Sequence, residues 1–274
     1  MKTTKYIGGF ILAGLLPAFV ACDKIKDGDR LIDQGVVEIK SERCVLLEDY
    51  TGVRCVNCPD AAATTKLLQA TYGNNLIVVA LHPQGFPTLT MPYDEDQDLS
   101  TAIARTYYDA FQISSLPQGM VNRKKVLPYL AWGGAIQEVF DDTSTDYVNL
   151  VASAKLSGTN MQVNINGNFK QDYSAEGDIN VIAMVVENNI TTQQNSHEGR
   201  IKEYVHNHVL RTVISDDVWG DKILDAHPSE GADFTKQYTA TLNEAWKTQD
   251  LALVVAVVNA RSREVLQAAY AHFK

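Results

Sequence analysis

Cys55 and Cys58 stand three residues apart, with Val56 and Asn57 between them and Pro59 following. Two thiols at this spacing can close a small disulfide and reopen it. They carry out thiol–disulfide exchange when the first sulfur sits over the positive N-terminal end of a helix, where thiolate is favoured over thiol. In that chemistry the Cys55 thiolate attacks a substrate disulfide, and Cys58 then attacks Cys55 to release the reduced substrate. A nearby carboxylate can accept the Cys58 proton. Asp49, six residues before Cys55, is the first candidate and Glu48 the second. The competing reading is a fixed disulfide that staples a loop, with Asp49 a solvated strand end.

The surrounding pattern supplies elements to hold these groups. Residues 45–50 are apolar at successive positions, as in a strand of a parallel sheet buried on both faces. Pro59 suits a first helical turn, Ala63, Leu67 and Ala70 recur on one face, and Gly73 stops the helix. Residues 76–81 read as a second buried strand, followed by a loop with Pro83, Gly85, Pro87 and Pro92 and a helix over 99–111. Leu116-Pro117 precedes a short strand over 119–122 and a basic turn, Arg123 to Lys125. Trp132, Ile136 and Phe140 then mark a closing helix. Alternating strands and helices predict an α/β layer architecture. From about residue 148 the period becomes two, through 161–165, 179–185, 234–240, 251–257 and 265–270. That pattern predicts an all-β antiparallel sandwich, immunoglobulin- or fibronectin-like, with the boundary in the polar run 141–146.

The N-terminus fixes the expected compartment. Lys2 and Lys5 precede an apolar stretch over 6–21 that is short for a membrane span and reads as a secretory signal. Cys22 follows Ala21 directly, as in a bacterial lipoprotein signal whose cysteine is acylated, although Phe19 is larger than that pattern prefers. The predicted organisation is a signal peptide over 1–21, a tether over 22–36, an α/β domain over 37–145 and the sandwich over 146–274. The formal net charge is -9, and -11 without Lys2 and Lys5. Such acidity argues against nucleic acid as a partner and against electrostatic binding to anionic lipid. An exported protein is also where an oxidised Cys55–Cys58 bond persists.

Three features in register make the first half resemble the thioredoxin superfamily. They are the strand, Cys-x-x-Cys and helix order, Asp49 six residues before the first cysteine, and Leu116-Pro117 followed by a strand. The resemblance implies a thioredoxin-like domain, a buried Asp49, and a cis Pro117 packed against the active disulfide, with the Leu116 backbone pairing an extended substrate. The chain departs from that family in having Arg54 before the first cysteine and Val56-Asn57 inside the motif. Arg54 either lowers the Cys55 pKa or points to solvent. The dipeptide leaves redox direction open, because potentials on this fold span roughly 150 mV, about 7 kcal/mol for two electrons.

The whole chain also resembles the outer-membrane protein twenty-eight family, lipoproteins of Bacteroidetes-type Gram-negative bacteria. The likeness is carried by Thr51-Gly52-Val53-Arg54-Cys55-Val56-Asn57-Cys58-Pro59, by Leu116-Pro117-Gln118-Gly119 with Asn122-Arg123, and by the run from Tyr204 through His206 and His208 to Arg211. It implies a lipid anchor at Cys22, a thioredoxin-like domain, a β-rich C-terminal region and an outer-membrane location, on the periplasmic or surface face.

Other constellations lead nowhere. Cys55 and Cys58 lack the second close pair of a zinc site. Asp94, Asp96 and Asp98 begin like a calcium loop, but Leu99 and Arg105 stand where its glycine and glutamate belong. His206 and His208 would share one face of a strand without a third ligand, and Cys44 reads as a small buried hydrophobe. No Gly-x-Ser-x-Gly elbow supports a hydrolase. Neither a cofactor nor a metal is expected. Two functions remain: an anchored oxidoreductase acting on thiols and disulfides of exported proteins, or a surface lipoprotein for binding or adhesion that takes a protein or host component and keeps the thioredoxin fold as scaffold.

Overall fold

The structure, a computed structural model, describes residues 43–273 except Pro87. The expected signal peptide, tether and acylated Cys22 lie outside the described residues. Among the described residues no helix is long and apolar enough to cross a membrane.

The first half runs β1 (Val45–Tyr50), α1 (Cys58–Tyr72), β2 (Leu76–Leu81), α2 (Ala102–Ala110), β3 (Gln118–Val121), β4 (Val126–Leu127) and α3 (Trp132–Asp141). The strands β1 and β2 are buried along their whole length, which is why no polar alternation marks them. The helix α2 begins later than its apolar pattern because Thr101 caps it, its side chain accepting from the Ala104 N–H. The second half is nearly all strand. It comprises β5 (Val148–Ser157), β6 (Asn160–Phe169), β7 (Ile179–Glu187), β8 (Ile190–Ser196), β9 (Gly199–His206), β10 (Val209–Val213), β11 (Asp221–Leu224), β12 (Asp233–Thr241), β13 (Leu251–Asn259) and β14 (Val265–His272).

One mixed sheet crosses the line drawn at residue 145. Its order is β14-β13-β7-β10-β2-β1-β3-β4, with β11 also on β7. The junction is β10, antiparallel to β7 but parallel to β2 through Val209 and Ala80. The Ala80 N–H donates to the His208 carbonyl at 2.8 Å. Hydrogen bonding at the β2 edge therefore draws the C-terminal strands into the first half's sheet instead of into a separate sandwich. A face-to-face β packing does form, but one of its layers is this shared sheet. The other is the antiparallel sheet β12-β6-β5.

The period of two sorts side chains between the layers. Leu46 and Tyr50 of β1 join Ile182, Met184 and Val186 of β7 in a core that also receives Ala104 and Tyr107 of α2. Val45 and Leu47 face the other way, against Ala61 of α1 and Trp132 and Ile136 of α3. Farther along the same face, Val181, Ala183 and Val185 pack on Leu150, Val163 and Phe234 of the smaller sheet. Gly119 is required where α3 meets the sheet, since a Cβ there would lie 2.6 Å from the Trp132 ring.

Candidate functional site

Past β1 the chain turns closely against the loop that carries Leu89. A Cβ on Gly52 would lie 2.4 Å from the Leu89 carbonyl oxygen, so only glycine fits there. That oxygen accepts the Arg54 N–H at 2.9 Å, and the Cys55 N–H donates to the Gly52 carbonyl at 3.0 Å. Cys58 opens α1 and is disulfide-bonded to Cys55, with Cα atoms 5.5 Å apart. The Leu116–Pro117 bond is cis and immediately precedes β3, whose Gln118 is in register with Tyr50. Cys55, Cys58, Tyr50 and Leu116 belong to one buried cluster. Both cysteines are almost fully enclosed, at 3% and 2% exposure.

The two carboxylates ending β1 point to opposite faces, and their chemistry separates accordingly. Glu48 is on the α2 face and fully buried, where its oxygens accept from Arg123 at 2.9 and 2.6 Å. The same guanidinium lies 4.6 Å from the Tyr107 ring centre. This carboxylate is committed to an ion pair, which removes Glu48 as proton acceptor. Asp49 is on the α1 face, lining a cavity with Cys58. Its Oδ1 has no hydrogen-bond partner, and burial raises its pKa to about 7.

A hairpin from the second half, β8 with β9, closes over the cysteine loop. The buried Gln194 amide donates to the carbonyls of Gly52 at 3.2 Å, Cys55 at 2.9 Å and Asn195 at 3.0 Å. The Asn195 N–H donates to the Val53 carbonyl at 2.8 Å, and its side-chain amide to the Arg54 carbonyl at 3.1 Å. Arg54 is held aside. Its guanidinium donates to the carbonyls of Met91 and Pro92 at 2.7 and 2.9 Å and stacks on Tyr93 at 4.4 Å.

Behind the disulfide lies a cavity of about 650 Å³ between α1, the end of β2 and the segment joining β9 to β10. His82, His206 and His208 line it. The expectation that His206 and His208 share one strand is corrected. β9 ends at His206, His208 sits in a turn with φ of 59°, and β10 starts after it. Burial pulls His206 and His208 down to about 4, and His82 well below the usual histidine range with help from His206 and Arg211. Among the described residues no group of three or more His, Cys, Asp or Glu is placed to hold a metal ion.

Cys55, Cys58, Asp49 and Pro117 therefore fall at one end of the sheet, around the start of α1. Asp94 and Asp98 lie on a loop, where Asp94 accepts from Gln193 at 2.9 Å and Asp98 from the Ser100 N–H at 2.8 Å. Cys44 is buried, and its N–H donates to Gln267 at 2.9 Å. Sequence reading missed His82 and Gln194. His82 directly follows a buried strand and continues its parity, a usable signal. Gln194 sits in the polar stretch 190–196, whose buried residues Thr192 and Gln194 gave no apolar alternation.

The family model for outer membrane protein Omp28 matches residues 104–273, and Cys55 and Cys58 precede that match. No curated protein matches the chain. Among solved structures the chain is similar to HBP35 of Porphyromonas gingivalis, with 19% identity and a TM-score of 0.65 over 85% of this chain and 76% of that one. At that identity the likeness is one of fold. It also matches a protein of Agrobacterium tumefaciens, at 16% identity and a TM-score of 0.49 over 84% of this chain and 95% of the other. A domain of the outer membrane lipoprotein Omp28 from Porphyromonas gingivalis matches at 14% identity and a TM-score of 0.32, over 47% of this chain and 88% of that one.

Proposed function

The chain belongs to the outer membrane protein Omp28 family, and from that premise we propose that it is a lipid-anchored cell-envelope protein whose Cys55–Cys58 pair exchanges with thiols and disulfides of exported proteins. The anchor is Cys22, and the part around the pair is thioredoxin-like. One observation carries the redox reading. Asp49, the buried carboxyl lining the same cavity as Cys58, has its pKa raised to about 7 by desolvation. A group titrating near neutrality can take and return a proton at the working pH.

In the reducing direction, Cys55 thiolate attacks a substrate disulfide. A Cys55–substrate bond forms, and the substrate's own disulfide breaks. Cys58 then yields its proton to Asp49 and attacks the Cys55 sulfur, restoring the Cys55–Cys58 bond. The second substrate sulfur leaves as thiolate, so the substrate gains two electrons and the protein dithiol loses them. An external thiol must reduce the pair again.

A second reading has its own observation. The 3% exposure of Cys55 under the β8–β9 hairpin suits a disulfide that staples the loop of a surface binding protein. Kinetics separate the two. The reduced protein is mixed with a chromogenic aromatic disulfide, and Cys55→Ser and Cys58→Ser are run beside it. Turnover lost in Cys55→Ser, with a stable mixed disulfide in Cys58→Ser, supports exchange. A wild-type protein inert to the reagent leaves the staple.

A further inference from the structure

The cavity behind the disulfide concentrates unsatisfied polarity. Asp49 Oδ1, Thr65 Oγ1, His82 Nδ1, His206 Nε2 and His208 Nδ1 are buried without a hydrogen-bond partner, and all five residues line it. Buried polar atoms are ordinarily satisfied by protein or by ordered water, and a cavity of about 650 Å³ with these five polar atoms on its wall is ample for water. The rings of His82 and His206 are 5.8 Å apart, edge to face. A backbone bond to Gln193 fixes the His206 ring. The lining begins at Cys58 and Asp49 and ends at exposed Lys66, Val205 and Asn207.

Asp49 has a problem that this arrangement answers. At 4% exposure it cannot return a proton directly to bulk solvent. Yet it must do so once per cycle if it takes one from Cys58. We infer that His82 and His206 relay protons between Asp49 and solvent through the water of this cavity. The inference rests on the exchange reading above, and the two histidines act through Asp49 rather than on the sulfurs. When Cys58 thiol becomes thiolate, Asp49 becomes a neutral acid. Each imidazole takes a proton on one nitrogen as it gives up the proton on the other, so the Asp49 proton is matched by one delivered to cavity water and out past Lys66, no imidazolium stands, and the carboxylate is ready again. The titratable groups that line the cavity with Asp49 are Cys58 and Lys66 from α1, His82 after β2, and Tyr204, His206 and His208 from the β9–β10 segment. Arg211 bears on His82 from β10. Burial disfavours the imidazolium at both histidines, so the transfer runs through the neutral ring, which accepts on one nitrogen while it donates from the other.

The test is stopped-flow reaction of the reduced full chain with the aromatic disulfide at pH 6, where Asp49 starts protonated and must lose that proton through the relay before Cys58 can resolve; one thiolate is released when Cys55 attacks and a second when Cys58 resolves. In His82→Gln and His206→Gln the second phase should slow relative to the first by about tenfold, below the roughly 10²–10⁴ of a direct acid–base group. Added imidazole should restore it. Wild-type-like phase ratios in both variants, or a slow second phase that imidazole leaves untouched, would overturn the relay. A second measurement needs no variant. The wild-type second phase in H₂O–D₂O mixtures should bow, as more than one proton moves, whereas a straight dependence overturns the proposal. Failure of the exchange reading looks different: the wild type would show neither phase, and the relay falls with it.

Discussion

The side-chain amide of Gln194 donates to the backbone carbonyl of Cys55 at 2.9 Å, across 139 residues of chain. The same nitrogen reaches the carbonyls of Gly52 and Asn195, so one buried amide knots the hairpin to the cysteine loop. Any exchange partner must displace this knot or approach beside it.

Gln194→Ala should therefore loosen the cover at a modest cost in stability. Leaving those buried carbonyls short of a donor costs about 1–3 kcal/mol. Alkylation of Cys55 in the reduced variant should run faster than in wild type. Equal alkylation rates would show that the hairpin does not shield the sulfur.

Asp49→Asn should stabilise the oxidised protein in a pH-dependent way. The native carboxyl titrates at about 7 against an ordinary 3.8, so the folded state holds a proton that the unfolded state releases between these values. Stability then falls as pH rises through that window, by an order of 4 kcal/mol above it. Melting curves of variant and wild type should converge below about pH 4 and separate by about pH 8.

The buried histidines act in the opposite sense. His206 and His208 stay neutral in the fold down to about 4, and His82 is also depressed, while unfolded histidines take up protons near 6.5. The histidines' contribution to stability is full above 6.5 and is lost as pH falls towards 4. Three imidazoles outweigh the single Asp49 proton, so the melting temperature should drop across this interval. His206→Gln should flatten the drop.

Arg123→Met should be among the most damaging single changes on the α2 face. It strands the Glu48 carboxylate, which is fully buried, and breaking such a pair from one side costs about 3–5 kcal/mol. Glu48→Met with Arg123→Met should recover most of that loss. Urea unfolding of the two variants gives the comparison.

Legibility followed the range of the forces. Local signals marked the strands carrying Val45 and Leu76, the helix after Pro59 and the helix holding Trp132 and Ile136, because contiguous apolar runs and helical spacing set them. The start of the first helix was legible to within a residue, Pro59 against Cys58. Leu116-Pro117 was legible as a position through its register with the cysteines. What stayed hidden was long-range. Nothing near Val209 announces that it will pair with Ala80, and nothing near Gln194 announces the Cys55 carbonyl. The sorting of Glu48 from Asp49 follows from strand parity once each face has an occupant, but only the fold supplies those occupants.

The parallel pairing of β10 with β2 bears on how the molecule is made. The cysteine pair and the strand beside it leave the ribosome early, with one β-edge bare, and the segment that closes that edge is synthesised only about halfway through the C-terminal half. Contacts so distant in sequence form late in folding. Until they do, the apolar β2 edge is open to mispairing and both thiols lack their cover. Biogenesis thus sets a window in which the pair is more accessible than it will ever be in the finished protein. A chain cut at residue 145 would remain in that window permanently.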